Sequence, residues 1–270
     1  MHRTASKRSS IFWRVLVVLL LSGSLYSCRE KQTRTSEEQS MLPATEQVGF
    51  ESIFDGTSLR DWSGDATYWR VENGSIIGEI TPETLLETNT FLIYKNELSD
   101  FELKTEFRIS EGGNSGINYR SELLDTIPYA LRGYQADIDG QHRYTGQNYE
   151  ERKRTTLAYR GEQATITTQQ NAEDPTSFRV NIKHNAWQSR AVTASLGDKD
   201  SLRGKIKKDW NEVHIIIKGN RLQHYVNGVL MSEVTDNDTI NRKASGFLGM
   251  QVHVGPPMKV EYRKIRLKKL

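Results

Sequence analysis

Asn211 to Val234 reads NEVHIIIKGNRLQHYVNGVLMSEV, and this stretch decides the fold class of the chain. Asn211 to Lys218, Arg221 to Val226 and Val229 to Val234 are short runs of strand-forming residues. Gly219-Asn220 and Asn227-Gly228 join them, and both pairs tolerate the positive φ that tight hairpin turns demand. The spacing predicts a three-stranded meander.

The same pattern recurs outward. Trp69-Arg70-Val71, a turn at Glu72-Asn73-Gly74 and Ser75 to Glu79 predict a hairpin. From Phe101 to Ile109, Phe101, Leu103, Thr105, Phe107 and Ile109 alternate with Glu102, Lys104, Glu106 and Arg108, the period of a strand with two unlike faces. Phe247 to Val254 and Met258 to Leu267 predict a last strand pair separated by Gly255-Pro256-Pro257, which cannot continue either strand. Helix signals are scarce, and Thr81 to Glu87 is the one stretch read as a turn or two of helix. Many short strands over about 220 residues predict one all-β domain, a two-sheet antiparallel β-sandwich of jelly-roll type. Phe54-Asp55-Gly56, Leu59 and Trp62 supply its N-terminal strand and turn, paired with the C-terminal strand.

The ends of the chain carry different information. Arg3, Lys7, Arg8 and Arg14 form a basic leader, Val15 to Leu21 an apolar stretch too short to span a bilayer, and Leu25-Tyr26-Ser27-Cys28 a lipobox. Residues 1–27 are therefore read as a lipoprotein signal peptide and Cys28 as a lipid-bearing N-terminus. Residues 28–47, nearly without aromatic or β-branched apolar residues, are a flexible tether, and 48–270 the folded domain. The expected location is the bacterial cell envelope, with a lipid anchor in the membrane. Cys28 is the only cysteine, so disulfides and thiolate metal sites are excluded. Without the four cations of the leader, the 37 Lys and Arg fall to 33 against 34 Asp and Glu, and a nucleic-acid partner loses its support.

Three strands present unusual outward faces. In Gly133 to Asp139, Tyr134, Ala136 and Ile138 share one face, while Gln135, Asp137 and Asp139 share the other. In Phe247 to Val254, Leu248, Met250, Val252 and Val254 read as core, while Gln251 and His253 project beside Gly249. In Gly112 to Arg120, Ile117 and Tyr119 point inward, and Asn118 and Arg120 outward. A solvated face of an antiparallel sheet accounts for any one of these strands. All three together on one concave sheet make a site. No Ser lies in a G-x-S-x-G elbow, and no serine-based triad is visible.

Gly49-Phe50-Glu51-Ser52-Ile53-Phe54-Asp55-Gly56 with Leu59 and Trp62 resembles the opening of the 3-keto-disaccharide hydrolase family. Phe101-Glu102-Leu103, then Gly113-Asn114-Ser115-Gly116-Ile117 with Arg120, then Gly133 to Ile138, Trp210-Asn211-Glu212, Asn227-Gly228 and Gly249 to His253 follow in the family's order, so the resemblance spans residues 49 to 270. It implies a concanavalin A-like sandwich and activity on glycosides already oxidised to a ketone at C3. Two departures, Gln135 where one branch has Glu and Glu233-Val234-Thr235-Asp236 in place of an acidic Tyr-Thr stretch, point to a different substrate.

For such a substrate the implied route is removal of the C2 hydrogen by a base, β-elimination of the C1 substituent, and addition of water. Asp137 or His253 is the candidate base and Arg120 the cation over the ketone oxygen. Gln135, Gln251 and Asn114 are candidates to hold hydroxyls, with Ser115, Glu106, Glu151 and Arg154 completing the substrate-binding set. No cofactor is required by this scheme. A divalent ion held by Asp137, Asp139 and His253 is the alternative electrophile. The competing function is a non-catalytic, glycan-binding lipoprotein, for which Trp62, Trp69, Trp187 and Tyr149 would offer stacking platforms.

Overall fold

The computed structural model describes residues 48–168 and 190–270. The signal peptide, the tether with Cys28, and Trp187 lie outside the described residues.

Two sheets form a sandwich. The larger runs, edge to edge, through β12 (Arg190–Ser195), β11 (Glu162–Ile166), β15 (Val229–Asp236), β14 (Arg221–Val226), β13 (Asn211–Lys218), β6 (Phe101–Ile109), β17 (Met258–Lys269), β4 (Ser75–Ile80) and β3 (Trp69–Glu72), with β1 (Glu51–Ser52) added to β17. The smaller runs through β10 (Thr155–Ala158), β9 (Asn148–Glu151), β8 (Leu131–Asp139), β7 (Asn114–Leu123), β16 (Phe247–Val252), β5 (Thr90–Tyr94) and β2 (Trp62–Ser63). Neighbours are antiparallel except β11 and β15, which are parallel.

The meander forms as the turn chemistry requires. Asn227 and Gly228 both have positive φ, 50° and 76°, which matches the twist of the flanking strands. Asn73 and Gly74 repeat this between β3 and β4. The N-terminal strand pairs with the C-terminal one as expected, Glu51 opposite Leu267.

Between the sheets, Phe101, Leu103 and Phe107 of β6, Ile215 and Ile217 of β13, and Val260 and Tyr262 of β17 meet Ile117 and Tyr119 of β7, Tyr134, Ala136 and Ile138 of β8, and Leu248, Met250 and Val252 of β16. Each large apolar side chain removed from water here contributes roughly 1.5–3 kcal/mol, which makes this layer the main source of stability.

Three expectations are corrected. β16 and β17 do not pair: the Gly255-Pro256-Pro257 segment carries the chain from the smaller sheet to the larger, and Val254 lies exposed beyond the strand. Thr81 to Glu87 forms turns rather than helix, with the Thr84 hydroxyl accepting from the Thr81 amide. The one α-helix among the described residues is α1 (Lys199–Arg203), capped by Asp198, whose carboxylate accepts from the amides of Asp200 and Ser201.

Candidate active site on the smaller sheet

Strand parity places Gln135 and Asp137 of β8, Asn118 of β7 and Gln251 of β16 on the outer face of the smaller sheet. Cross-strand register then brings them together. Asp137 lies opposite Gly116, and Gln135 opposite Asn118, which in turn lies opposite Gly249. Gln251 stands one step beyond the Met250–Ile117 pair, level with Gly116. Asp137 and Gln251 are thus two strands apart, about 10 Å by strand spacing.

Gln135 fills that gap. A Cβ on Gly116 would stand 2.6 Å from Gln135 Cδ, so the amide of Gln135 lies across the bare backbone of the middle strand. From there its Nε2 donates to Asp137 Oδ1 at 2.6 Å, and its Oε1 accepts from Gln251 Nε2 at 3.2 Å. The second carboxylate oxygen, Oδ2, accepts from Gln147 Nε2 at 2.5 Å. Gln147 sits in the loop between β8 and β9. Its backbone carbonyl also accepts from the Asp137 amide, which fixes the loop against the strand.

Asp137 is 8% exposed and no cation pairs with it among the described residues. Burial pushes its carboxyl up to about 7, against the pull of the Gln147 and Gln135 donors, and the carboxylates of Glu151 and Asp139 push the same way. A carboxylate that titrates near neutrality is a competent general base.

The amides around it have an enforced polarity. An ionised carboxylate only accepts, so Gln135 must turn its Nε2 to Asp137 and its Oε1 to Gln251, and Gln251 must turn its own Nε2 to Gln135. Gln251 Oε1 then points away from the relay and has no partner, and neither amide atom of Asn118 has one, although both residues are fully buried. Each buried polar group left unpaired costs about 1–3 kcal/mol. Tyr149, opposite Gln135 on β9, is half-buried on the same face, and Leu131 reaches over Gly249 to pack with Phe91, Ile93 and Phe247.

Other expected site residues are placed as follows. Glu151 shares the outer face and accepts from Asn89 Nδ2 at 3.0 Å, while Asn89 Oδ1 accepts from the amide of Val254. His253 is half-exposed beyond the end of β16, donating from Nδ1 to the Val254 carbonyl at 2.6 Å; it makes no bond to Asp137. Asn114 lies opposite Asp139 at the start of β7, half-buried.

Asp139 is a loop organiser. Its carboxylate accepts from the amides of Arg143, Tyr144 and Thr145, which shapes the loop that delivers Gln147. With those oxygens committed to N–H donors and His253 turned to its own backbone, Asp137, Asp139 and His253 do not assemble into a metal-ligating set; no cluster of three such side chains occurs among the described residues.

Arg120 does not reach this face. β7 carries one extra residue relative to β8 between Tyr119 and Glu122, a bulge in which Arg120 takes φ +44°. The bulge reverses the parity, and the guanidinium crosses to the other sheet, donating to the carbonyls of Ser99 and Gly219 and to Asp100 Oδ1 at 2.6 Å. Ser115 also points inward, its hydroxyl bonded to the Gln251 carbonyl and beside the Tyr262 hydroxyl. Arg154 is fully buried between the sheets, held by Glu150, Asp236 and Asp238 and near the Tyr134 hydroxyl. Glu106 lies on the far side of the larger sheet, paired with Arg263 and Lys264. Trp62 and Trp69 are core.

Asn118, Gln147 and Asn89 were not among the expected site residues. Asn118 carried a signal, its outward parity beside Ile117 and Tyr119. Gln147 and Asn89 carried none, because each arrives from a connection rather than from a strand with a readable period.

A buried near-neutral carboxyl set among amides thus lies on the outer face of the smaller sheet. Residues 49–268 match the 3-keto-alpha-glucoside-1,2-lyase-like domain family over their whole extent, and the chain belongs to that family. A 3-keto-disaccharide hydrolase of Bacteroides thetaiotaomicron is 30% identical over 99 residues, 34% of this chain; the matched stretch spans about a third of that protein, 34% of its length. Two crystal structures of glycosyl hydrolase candidates from Parabacteroides distasonis align with this chain, each at 16% identity. One has a TM-score of 0.51 over 82% of this chain and 99% of the other, the second a TM-score of 0.49 over 87% and 97%.

Proposed function

We propose that the protein cleaves 3-keto-glycosides, with Asp137 as the base that removes the C2 hydrogen. The observation that carries this reading is the Asp137 carboxyl itself, buried, pushed up to about 7, and aimed with its two amide donors on the outer sheet face. The family membership and the name of the Bacteroides thetaiotaomicron relative support the substrate class.

A ketone at C3 acidifies the hydrogen at C2. Asp137 takes that proton, the C2–H electrons form a C2–C3 double bond, and negative charge gathers on the ketone oxygen. The charge then returns, a C1–C2 double bond forms, and the C1–oxygen bond breaks with its electron pair leaving on the glycosidic oxygen, which is protonated. Asp137 passes the proton it took to that departing oxygen, and water then adds across the C1–C2 double bond, its hydroxyl to C1 and its own hydrogen to C2. The balance is one glycoside and one water giving one 3-keto sugar and one alcohol. Gln135 and Gln147 hold the carboxylate in place and favour its charged form before the step.

An aryl 3-keto-glucoside is the probe. Cleavage of it but not of the plain aryl glucoside, deuterium at C2 of product formed in deuterated water, and a rate loss of roughly 10² or more in Asp137→Asn are the expected results. Rapid cleavage of the plain glucoside, or product without the label, would overturn the elimination route. Binding of both sugars with cleavage of neither would replace it by the non-catalytic, glycan-binding reading. The lipobox-like Leu25–Cys28 supports an envelope location; the Cys28→Ala protein is expected to be uncleaved or soluble, and a mature, signal-less form in the membrane fraction would overturn the anchor.

A further inference from the structure

The proposed step needs a hydrogen-bond donor at the ketone oxygen, and Arg120 is committed to the opposite sheet. The smaller sheet offers one unused donor next to Asp137. Asn118 is fully buried, its register partners are Gln135 on one side and Gly249 on the other, and neither Nδ2 nor Oδ1 has a partner. Gln251, joined to Gln135, keeps an unpartnered Oε1. By contrast, the nearby amides of Asn89, Gln135 and Gln147 are all bonded.

These unmet atoms have a definite chemistry. Asn118 Nδ2 is a donor, Asn118 Oδ1 an acceptor, and Gln251 Oε1 an acceptor by the polarity that charged Asp137 imposes on the relay. A partner that satisfies them brings one accepting oxygen flanked by hydroxyls. Among the described residues no Lys or Arg bonds Asp137, Gln135, Asn118 or Gln251, so the charge beside the unmet atoms is the Asp137 carboxylate; Glu151, farther along the face, is paired with Arg152 Nε at 3.8 Å. A carboxylate or phosphate on the ligand would face the Asp137 charge, to which no Lys or Arg is bonded, and like-charge juxtaposition discriminates against such partners.

We propose that Asn118 Nδ2 donates to the ketone oxygen while Asn118 Oδ1 and Gln251 Oε1 accept from the flanking hydroxyls, so that the site takes a neutral sugar unit and rejects uronates and sugar phosphates. This rests on the reading of the outer face as a keto-sugar site. Asn118 is then a catalytic residue in the strict sense, touching the oxygen on which charge develops, and Gln251 a specificity residue that also positions Gln135.

The test uses the full chain with Asn118→Leu and Gln251→Met. Calorimetric titration with methyl α-glucoside and with methyl α-glucuronide reads binding, thermal melting reads stability, and the aryl 3-keto-glucoside reads kcat. Asn118→Leu is expected to melt no lower than the native protein, since it removes an unpaired buried amide, while binding methyl α-glucoside at least tenfold more weakly and losing roughly 10²-fold in kcat, the scale of one lost donor at an oxyanion. A purely structural Asn118 would instead lower the melting point and leave affinity alone. Gln251→Met is expected to weaken the glucoside at least tenfold, and methyl α-glucuronide to bind the native protein at least tenfold more weakly than the glucoside. Unchanged affinity and kcat in Asn118→Leu, equal affinity for the two sugars, or a native protein that binds no neutral sugar would overturn the proposal. If keto-glycosides are not cleaved but Asn118→Leu still abolishes glucoside binding, the proposed reaction and the catalytic role of Asn118 fail together, and only its part in holding a neutral sugar stands.

Discussion

The side-chain amide of Gln135 lies across the backbone of Gly116, so close that a Cβ on Gly116 would stand 2.6 Å from Gln135 Cδ. Because the middle strand has no side chain there, an amide from β8 reaches toward β16 and links Gln251 to Asp137.

Gly116→Ala is therefore expected to push the Gln135 amide off its shelf. Overpacking of this kind costs about 1–3 kcal/mol. The functional mark is more specific: Gln135 donates to the charged form of Asp137, so its loss raises the Asp137 pKa further and moves the acidic limb of the kcat/KM profile to higher pH. A profile that stays in place, with the fold intact, would show that Gln135 does not tune Asp137.

Asp137 makes the fold pH-dependent. Its carboxyl sits at about 7 in the folded protein against 3.8 for the free group, and a group whose folded pKa is raised contributes stability that is full below the unfolded pKa and lost as pH rises through the folded one. About three units amount to roughly 4 kcal/mol, lost between about pH 4 and pH 7. Asp137→Asn lacks this titration. The difference in unfolding free energy between the two proteins, followed by urea melts from pH 4 to 8, is expected to slope in favour of Asp137→Asn as pH rises; a flat difference would contradict the buried, near-neutral carboxyl.

Arg120 is a strut between sheets rather than a ligand-facing cation. Arg120→Met leaves the Ser99 and Gly219 carbonyls without their side-chain donor and Asp100, about a third exposed, with the Gly219 amide alone, and a loss of about 1–3 kcal/mol is expected from the cost of unpaired buried polar groups. Turnover per folded molecule, with folded fraction measured by circular dichroism, is expected to stay within threefold of the native value. A hundredfold fall would return Arg120 to the chemistry.

Arg154 stands among three carboxylates, Glu150, Asp236 and Asp238, and is itself sealed from water. Arg154→Leu leaves Asp236 and Asp238 without a cation in the interior and Glu150 with Lys153 alone, with an expected loss of about 3–5 kcal/mol. Glu106→Gln, by contrast, loosens a partly exposed pair with Arg263 and Lys264 and is expected to change stability by less than about 1 kcal/mol. Chemical denaturation separates the two, and comparable losses would sink the assignment of Arg154 to the interior and Glu106 to the surface.

What the sequence determined by itself follows from local periodicity. The alternation of Phe101 to Ile109, the Asn-Gly turns at 73–74 and 227–228, and the parity of Tyr134, Ala136 and Ile138 against Gln135 and Asp137 all depend on neighbours within a few residues, and all appear as read. Parity failed where the period itself broke. One extra residue in β7 turned Arg120 from the outer face to the opposite sheet, and nothing in Asn118-Tyr119-Arg120-Ser121 announces a bulge. Pairing across the sandwich was likewise out of reach: the stiff 255–257 segment looks like a hairpin, yet it carries the chain between sheets, because partner choice depends on which long-range surface each strand buries. The site shows the same division. Asp137 and Gln251 were visible from their strands, whereas Gln147 was fixed by a loop that Asp139 folds, and the pKa of Asp137 was set by burial under groups distant in sequence, a property that only the assembled sheet can confer.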